Sequence, residues 1–107
     1  MATIRAVIVD PDGTVRDTEI GSDLASFQAV VGGYIEGVLG NVATMYVNEE
    51  GLLRALPPNP LATQFAQFIL GRNVVLVGTA LILGPPDDVG NDTPVRQTVV
   101  DYFNQED

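Results

Sequence analysis

The chain contains no lysine, no histidine, no cysteine and no tryptophan in its 107 residues. Each gap removes a kind of chemistry. Without His there is no imidazole base that titrates near neutrality and no preferred neutral metal ligand. Without Cys there is no thiolate nucleophile, zinc ribbon or disulfide. Without Lys there is no Schiff base and no phosphate-loop cation. Only carboxylates, hydroxyls and tyrosines remain for acid–base or nucleophilic work, so the expectation is a protein that is not an enzyme and holds no cofactor. Positive charge is scarce too: five arginines face 14 acidic residues, for a net charge of −9. That balance argues against nucleic acid, whose phosphates need clustered Lys and Arg, and against anionic membrane surfaces. It suits a basic partner. No apolar run approaches the roughly 20 residues of a membrane helix. The longest, Val74 to Leu83, is broken by Gly78-Thr79. No leader-like segment precedes the first strand-like run, and the expected location is the cytoplasm.

What is present reads as one globular domain over residues 1–107, with 46% apolar and 18% charged residues to build and solvate a single core. Thr3 to Val9 and Thr14 to Ile20 flank Asp10-Pro11-Asp12-Gly13, a hairpin over residues 1–20 in which Gly13 takes the positive φ of a bulged loop. Ser22 or Asp23 caps a helix whose buried face is Leu24, Phe27, Val30 and Val31, and Gly32-Gly33 ends it. Tyr34 to Leu39 and Val42 to Val47 predict two more strands, and Leu52 to Leu56 a short extended piece. Asn59 caps a second helix with Pro60 at its first position, Leu61, Phe65, Phe68 and Ile69 as its apolar stripe and Gly71 as its stop. Val74 to Leu83 predicts a central strand bent at Gly78, and Thr93-Pro94 starts a last helix with Val95, Val99, Tyr102 and Phe103 on its face. The tail 105–107 is expected to fray. The order ββαββ(β)αβα predicts an α+β fold: a mixed sheet of hairpins with about three helices packed mainly on one face.

The stretch Ala6-Val7-Ile8-Val9-Asp10-Pro11-Asp12-Gly13-Thr14-Val15 resembles the first motif of haloacid-dehalogenase-like phosphatases. That resemblance implies Asp10 as a phosphoryl-accepting nucleophile beside Mg²⁺ and Asp12 as acid–base, with Asp87, Asp88 and Asp92 faintly imitating the last acidic motif. Three features oppose it. The fold needs a doubly wound parallel sheet, usually in a longer chain. The family's cation, normally Lys, has no Lys to supply it, and Arg72 is a poor point-charge substitute. Alternation from Thr14 to Ile20 suits a hairpin better than a strand leaving for a helix. The same aspartates with Asp17 fail as a calcium loop, where glycine belongs at position six; here it is fourth. The acidic residues are scattered over turns rather than arrayed along one helix, so a DNA mimic is not read either.

A sharper possibility lies further on. Tyr34 and Glu36 share a strand face, and an aromatic beside a carboxylate could form a platform with Asn48 and Asn59. Arg54 and Arg72 are the cations nearest in sequence that could join them. The plainer reading packs Tyr34 at a sheet edge and leaves Glu36 in water.

The blocks Leu24 to Glu36 (ending Gly32-Gly33-Tyr34-Ile35-Glu36), Val47-Asn48-Glu49-Glu50-Gly51, Leu56-Pro57-Pro58-Asn59, and Gly71 with Val77-Gly78-Thr79-Ala80 are together similar to the domain-of-unknown-function 3846 family. The likeness runs from Leu24 through Ile82, with the hairpin before it also fitting. It implies a small accessory protein of a bacterial cytoplasm, of actinobacterial phage or mobile-element type, and supplies no activity. Three functions stand as expectations: a host-modulating protein-binding module, a binder that sequesters a nucleotide-like signal, and, remotely, an Mg-dependent phosphatase. An interfacial apolar patch would favour the first. A pocket with an aromatic and Arg54 or Arg72 would favour the second. Unpaired edges and surplus apolar helix positions tilt the expected assembly toward a homodimer over a monomer.

Overall fold

The computed structural model describes residues 2–104. Its elements are β1 (Thr3–Val9), β2 (Val15–Gly21), α1 (Leu24–Val31), β3 (Ile35–Leu39), β4 (Thr44–Asn48), α2 (Pro60–Leu70), β5 (Ala80–Leu83) and α3 (Gln97–Phe103). The strands form one sheet in the order β2-β1-β5-β4-β3, and each neighbouring pair is antiparallel. The first hairpin closes as its turn residues dictate. Gly13 N–H donates to Asp10 O and Asp10 N–H to Thr14 O, each at 2.9 Å, with Gly13 at φ +91°. This is a type I turn completed by a glycine bulge.

β1 and β5 lie inside the sheet and carry apolar side chains on both faces. Ile4, Ala6, Ile8, Leu81 and Leu83 meet Phe27 and Val31 of α1 on one face. Val7, Val9, Met45, Ala80 and Ile82 meet Ala62, Phe65 and Ala66 of α2 and Val99 and Val100 of α3 on the other. Phe65 joins the two helices, its ring 5.0 Å from Tyr102 and 4.9 Å from Phe103. The predicted caps of α1 and α2 are in place. Asp23 accepts from Ser26 N–H at 2.7 Å, Asn59 accepts from Ala62 N–H at 3.1 Å, and Gly32 and Gly71 end their helices in the left-handed conformation.

The α+β class and the three helices stand, and several finer expectations change. The sheet is antiparallel rather than mixed. The helices divide between its faces, because strands apolar on both sides need cover on both sides. Leu24 and Phe68 are exposed, and Phe68 stacks on Tyr102 at 5.9 Å instead of entering the core. Of the expected strand from Val74 to Leu83, only Ala80–Leu83 joins the sheet. The preceding segment spends its backbone groups on Thr63 Oγ1, Gln67 Nε2, Asn59 and Pro57 instead of a ladder. Thr93 caps nothing: its hydroxyl donates to Pro85 O at 2.6 Å, and α3 begins after Arg96 without a side-chain cap. Among the described residues, no helix is long and apolar enough to cross a membrane. The tail 105–107 lies outside the described residues.

Candidate functional site

The α2–α3 layer covers only part of its sheet face. At the β3–β4 end two irregular segments rise instead and leave a groove of about 680 Å³ between them. The first follows β4. Asn48 Oδ1 accepts from Glu50 N–H at 2.8 Å, and Gly51 N–H donates to Asn48 O at 3.1 Å. Arg54 N–H then reaches back to Glu50 O at 2.9 Å, and Ala55 closes the coil at φ +51°. This helical coil replaces the extended piece expected over Leu52 to Leu56. An asparagine that bonds the backbone two residues on starts a turn, not a strand. Gly51 lets the coil close tightly on the opposite wall: a Cβ there would stand 2.7 Å from Val77 Cγ2 and 3.3 Å from Asn48 O, so a larger residue would force the walls to shift. The result turns Leu52 and Leu53 out to solvent, 81% and 87% exposed.

The second wall is the segment after α2. Gln67 Nε2 donates to Val74 O at 3.0 Å, and Thr63 Oγ1 accepts from Leu76 N–H at 2.8 Å. These bonds hold Leu76 inward, where it is buried, and leave the adjacent Val75 71% exposed. The groove therefore has a buried floor of Val47 and Leu76, Asn48 at its β4 end, an apolar rim of Leu52, Leu53 and Val75, and charges from Glu36, Glu49 and Arg72.

Three of the six residues singled out in the sequence meet here: Glu36, Asn48 and Arg72. The other three do not. Tyr34 precedes β3, is exposed, and stands outside the lining. Arg54 ties the coil to α1, its guanidinium 3.5 Å from Glu50 and donating to Gly32 O at 3.4 Å. Asn59 is fully buried, and its amide donates to Val9 O at 2.9 Å and Gly78 O at 2.8 Å while its oxygen caps α2. A side chain with every polar atom committed is a fastener of the fold. Asn48 is similarly occupied, donating to Val31 O at 3.2 Å and accepting from Glu50 N–H, so its side chain ties β4 to α1 and offers a ligand little. The sequence reading missed Leu52, Leu53, Val75 and Glu49. The signal was present in Leu52-Leu53, since neighbours in an extended segment point to opposite sides and one of the two would have needed cover.

In the phosphatase-like turn, both aspartates are committed to neighbouring groups. Asp12 accepts from Thr14 N–H at 2.9 Å, and that bond holds its carboxyl below the usual carboxylate range. Asp10 accepts from Thr79 Oγ1 at 3.1 Å and pairs with Arg16 at 3.4 Å. Asp87 likewise accepts from Val89 and Asn91 N–H, organises its own loop and titrates low for that reason. Among the described residues, no three acidic side chains converge as metal ligands would. The antiparallel sheet is also not the parallel one such a phosphatase is built on.

On the opposite face, the phenol of Tyr46 donates to Asp92 at 2.7 Å and its ring stacks on Phe27 at 5.6 Å. Burial, with the bond to Asp92, pushes this phenol up to about 12. The pair pins the loop before α3 to the sheet.

No curated protein matches the chain. No solved structure matches it either. A family model does match, and it extends the likeness seen between Leu24 and Ile82 in both directions, over residues 4–106. The fold described above therefore belongs, nearly end to end, to a member of the family described as a domain of unknown function, DUF3846.

Proposed function

We propose that the protein is a non-enzymatic accessory module that binds another protein through the groove beside β3 and β4. The observation that carries this reading is the company of Leu52, Leu53 and Val75: three large apolar side chains, all more than two-thirds exposed, on the rim of one groove. Singly exposed leucines are ordinary, but apolar side chains gathered on a concavity with charges at its border have the make-up of a protein interface. A nucleotide-like ligand is served less well. Arg72 offers it a cation, but the lining has no aromatic ring on which a base would stack, and Tyr34 stands outside it. A role in modulating a host, in a bacterial cytoplasm and on behalf of a phage or mobile element, comes from the family resemblance of the sequence blocks and is proposed on that ground alone.

The test is selection of a random peptide display library on the immobilised protein, with the double variant Leu52→Asp/Leu53→Asp as counter-target. Expected are peptides that bind the native protein and lose the variant, while the variant keeps its melting temperature. Peptides that bind both proteins equally, or a selection that enriches nothing, would overturn the reading.

A further inference from the structure

We infer that the groove takes its partner as an added strand: an extended segment that pairs with the free edge of β3 and carries both apolar residues and Lys or Arg at the alternate positions that face the groove. This rests on the groove being the docking site and goes further by naming the mode and the chemistry of the occupant.

The backbone phase of β3 is the first ground. Tyr34 O accepts from Glu49 N–H at 2.8 Å, and Gly40 N–H donates to Ala43 O at 3.0 Å. With the register Ile35↔Asn48 through Leu39↔Thr44, residues 34, 36, 38 and 40 turn their backbone groups toward β4. Ile35, Gly37 and Leu39 therefore turn theirs outward, where β3 is the last strand of the sheet. Unpaired groups in that spacing are a template for another strand.

The second ground is the contrast between the two edges. β2, at the far edge, carries Arg16, Asp17 and Glu19. Asp17 is held by Arg5 through bonds of 2.9 and 2.7 Å, and Glu19 accepts from Thr3 at 2.8 Å. Charges along an edge discourage pairing. β3 reads Ile-Glu-Gly-Val-Leu, with one charge and no proline. Glu36 and Val38 of that strand belong to the groove lining, so a strand added there would lay every second side chain toward the groove and its rim of Leu52, Leu53 and Val75.

Charge selects the occupant. The lining holds Glu36 and Glu49 against Arg72, on a chain of net charge −9. A basic segment meets both the local and the overall field. A second copy of this chain would bring an equal negative charge and another Glu36 to the same edge, so a basic partner is the better match.

The experiment uses the tightest peptide from the library selection, resynthesised with alternate backbone amides N-methylated in its two possible phases, and titrated by calorimetry. Strand addition predicts that one phase loses at least ten-fold in affinity and the other is nearly unaffected. Gly37→Pro adds a test on the protein. The Gly37 N–H points outward, so proline there leaves the β3–β4 ladder its bonds but removes a donor from the edge. It should weaken the peptide at least ten-fold, while Gly37→Ala, which keeps the donor, should not. Should Gly37→Pro fail to fold, the methylated peptides decide alone. Equal tolerance of both methylation phases by a peptide that still loses Leu52→Asp/Leu53→Asp would sink strand addition and leave the groove reading standing. Indifference to every variant would end both. A native dimer that Gly37→Pro splits would assign the edge to a second copy and overturn the proposed occupant.

Discussion

One face of the sheet is finished in two different ways. Beneath α2 and α3, Phe65 is 2% exposed and its neighbours Ala62, Ala66 and Val99 are closed in with it. A few strands along, at the β3–β4 end, Leu52, Leu53 and Val75 border the same face and are 81%, 87% and 71% exposed. Residue type does not separate the halves, since both are rich in aliphatic side chains. Cover separates them. Two helices close one half, and a coil and an irregular segment stand apart over the other. On this face the buried packing lies in the sealed half, and the open half keeps its apolar rim in solvent.

The comparison breaks most easily at Phe65. Phe65→Ala should cost about 3–5 kcal/mol in denaturant unfolding, because it removes the ring that joins α2 to α3 and leaves a cavity. In a domain of ordinary stability that is much of the total. A loss within the error of the wild-type curve would mean the helical layer is not the seal described.

The buried asparagines sharpen the contrast. Asn59→Ala removes the cap of α2 and strips the donor from Val9 O and Gly78 O, beneath the sealed half. It should cost about 2–3 kcal/mol. Asn48→Ala, at the end of β4 where the groove begins, breaks the bonds to Val31 O of α1 and Glu50 N–H and should cost about 1–2 kcal/mol. Equal losses, or a larger one at Asn48, would move the centre of stability toward the groove.

Titration gives a smaller and separable effect on the face that α1 covers. The folded state raises the Tyr46 phenol from 10.0 to about 12, so it favours the protonated form. The stability this adds is complete below pH ~10 and is lost as pH rises toward ~12. Asp12, Asp17, Asp23 and Asp87 are shifted the opposite way, by hydrogen bonds to Thr14 N–H, the Arg5 guanidinium, Ser26 N–H and the Asn91 backbone respectively. Their contributions are complete above the ordinary aspartate value of 3.8 and fade as pH falls below it. With no imidazole or thiol in the chain, unfolding free energy should be nearly level between those two limbs. Tyr46→Phe should flatten the alkaline limb and leave the acid limb in place, which unfolding curves collected across pH would show.

The smallest change is expected where exposure is greatest. Leu52→Ser and Leu53→Ser should each shift stability by no more than about 0.5 kcal/mol. A melting temperature that drops by several degrees would place these leucines in the core and close the open half.

The hairpin, the caps of α1 and α2 and the buried Phe27 and Phe65 were legible in the sequence because each is a local rule, whereas Thr93 reads as a cap and instead bonds Pro85 O. Pro-Asp-Gly sets a bulged turn, Asn59-Pro60 opens a helix, and Phe27 and Phe65 sit at helical spacing from other apolar residues. The groove was not legible, for a tertiary reason. Val74 to Leu83 reads as one strand bent at Gly78, and tertiary bonds from Thr63 and Gln67 of α2 and from the Asn59 and Pro57 backbone take its first half out of the sheet. Tyr34 and Glu36 share a parity that suggested a common platform, but Tyr34 lies outside β3 and only Glu36 reaches the groove. Asn59 reads equally as a cap or as a ligand contact, and its complete burial decides for the cap.

Amide NMR mapping of the isotope-labelled protein, titrated with the tightest selected peptide, tests the division of the sheet face most directly. Shifts should concentrate in β3 and in residues 47–53 and 72–77, with the sealed half beneath α2 and α3 silent. Shifts centred instead on the exposed Phe68–Tyr102 stack, with β3 and the coil after β4 unmoved, would contradict the account.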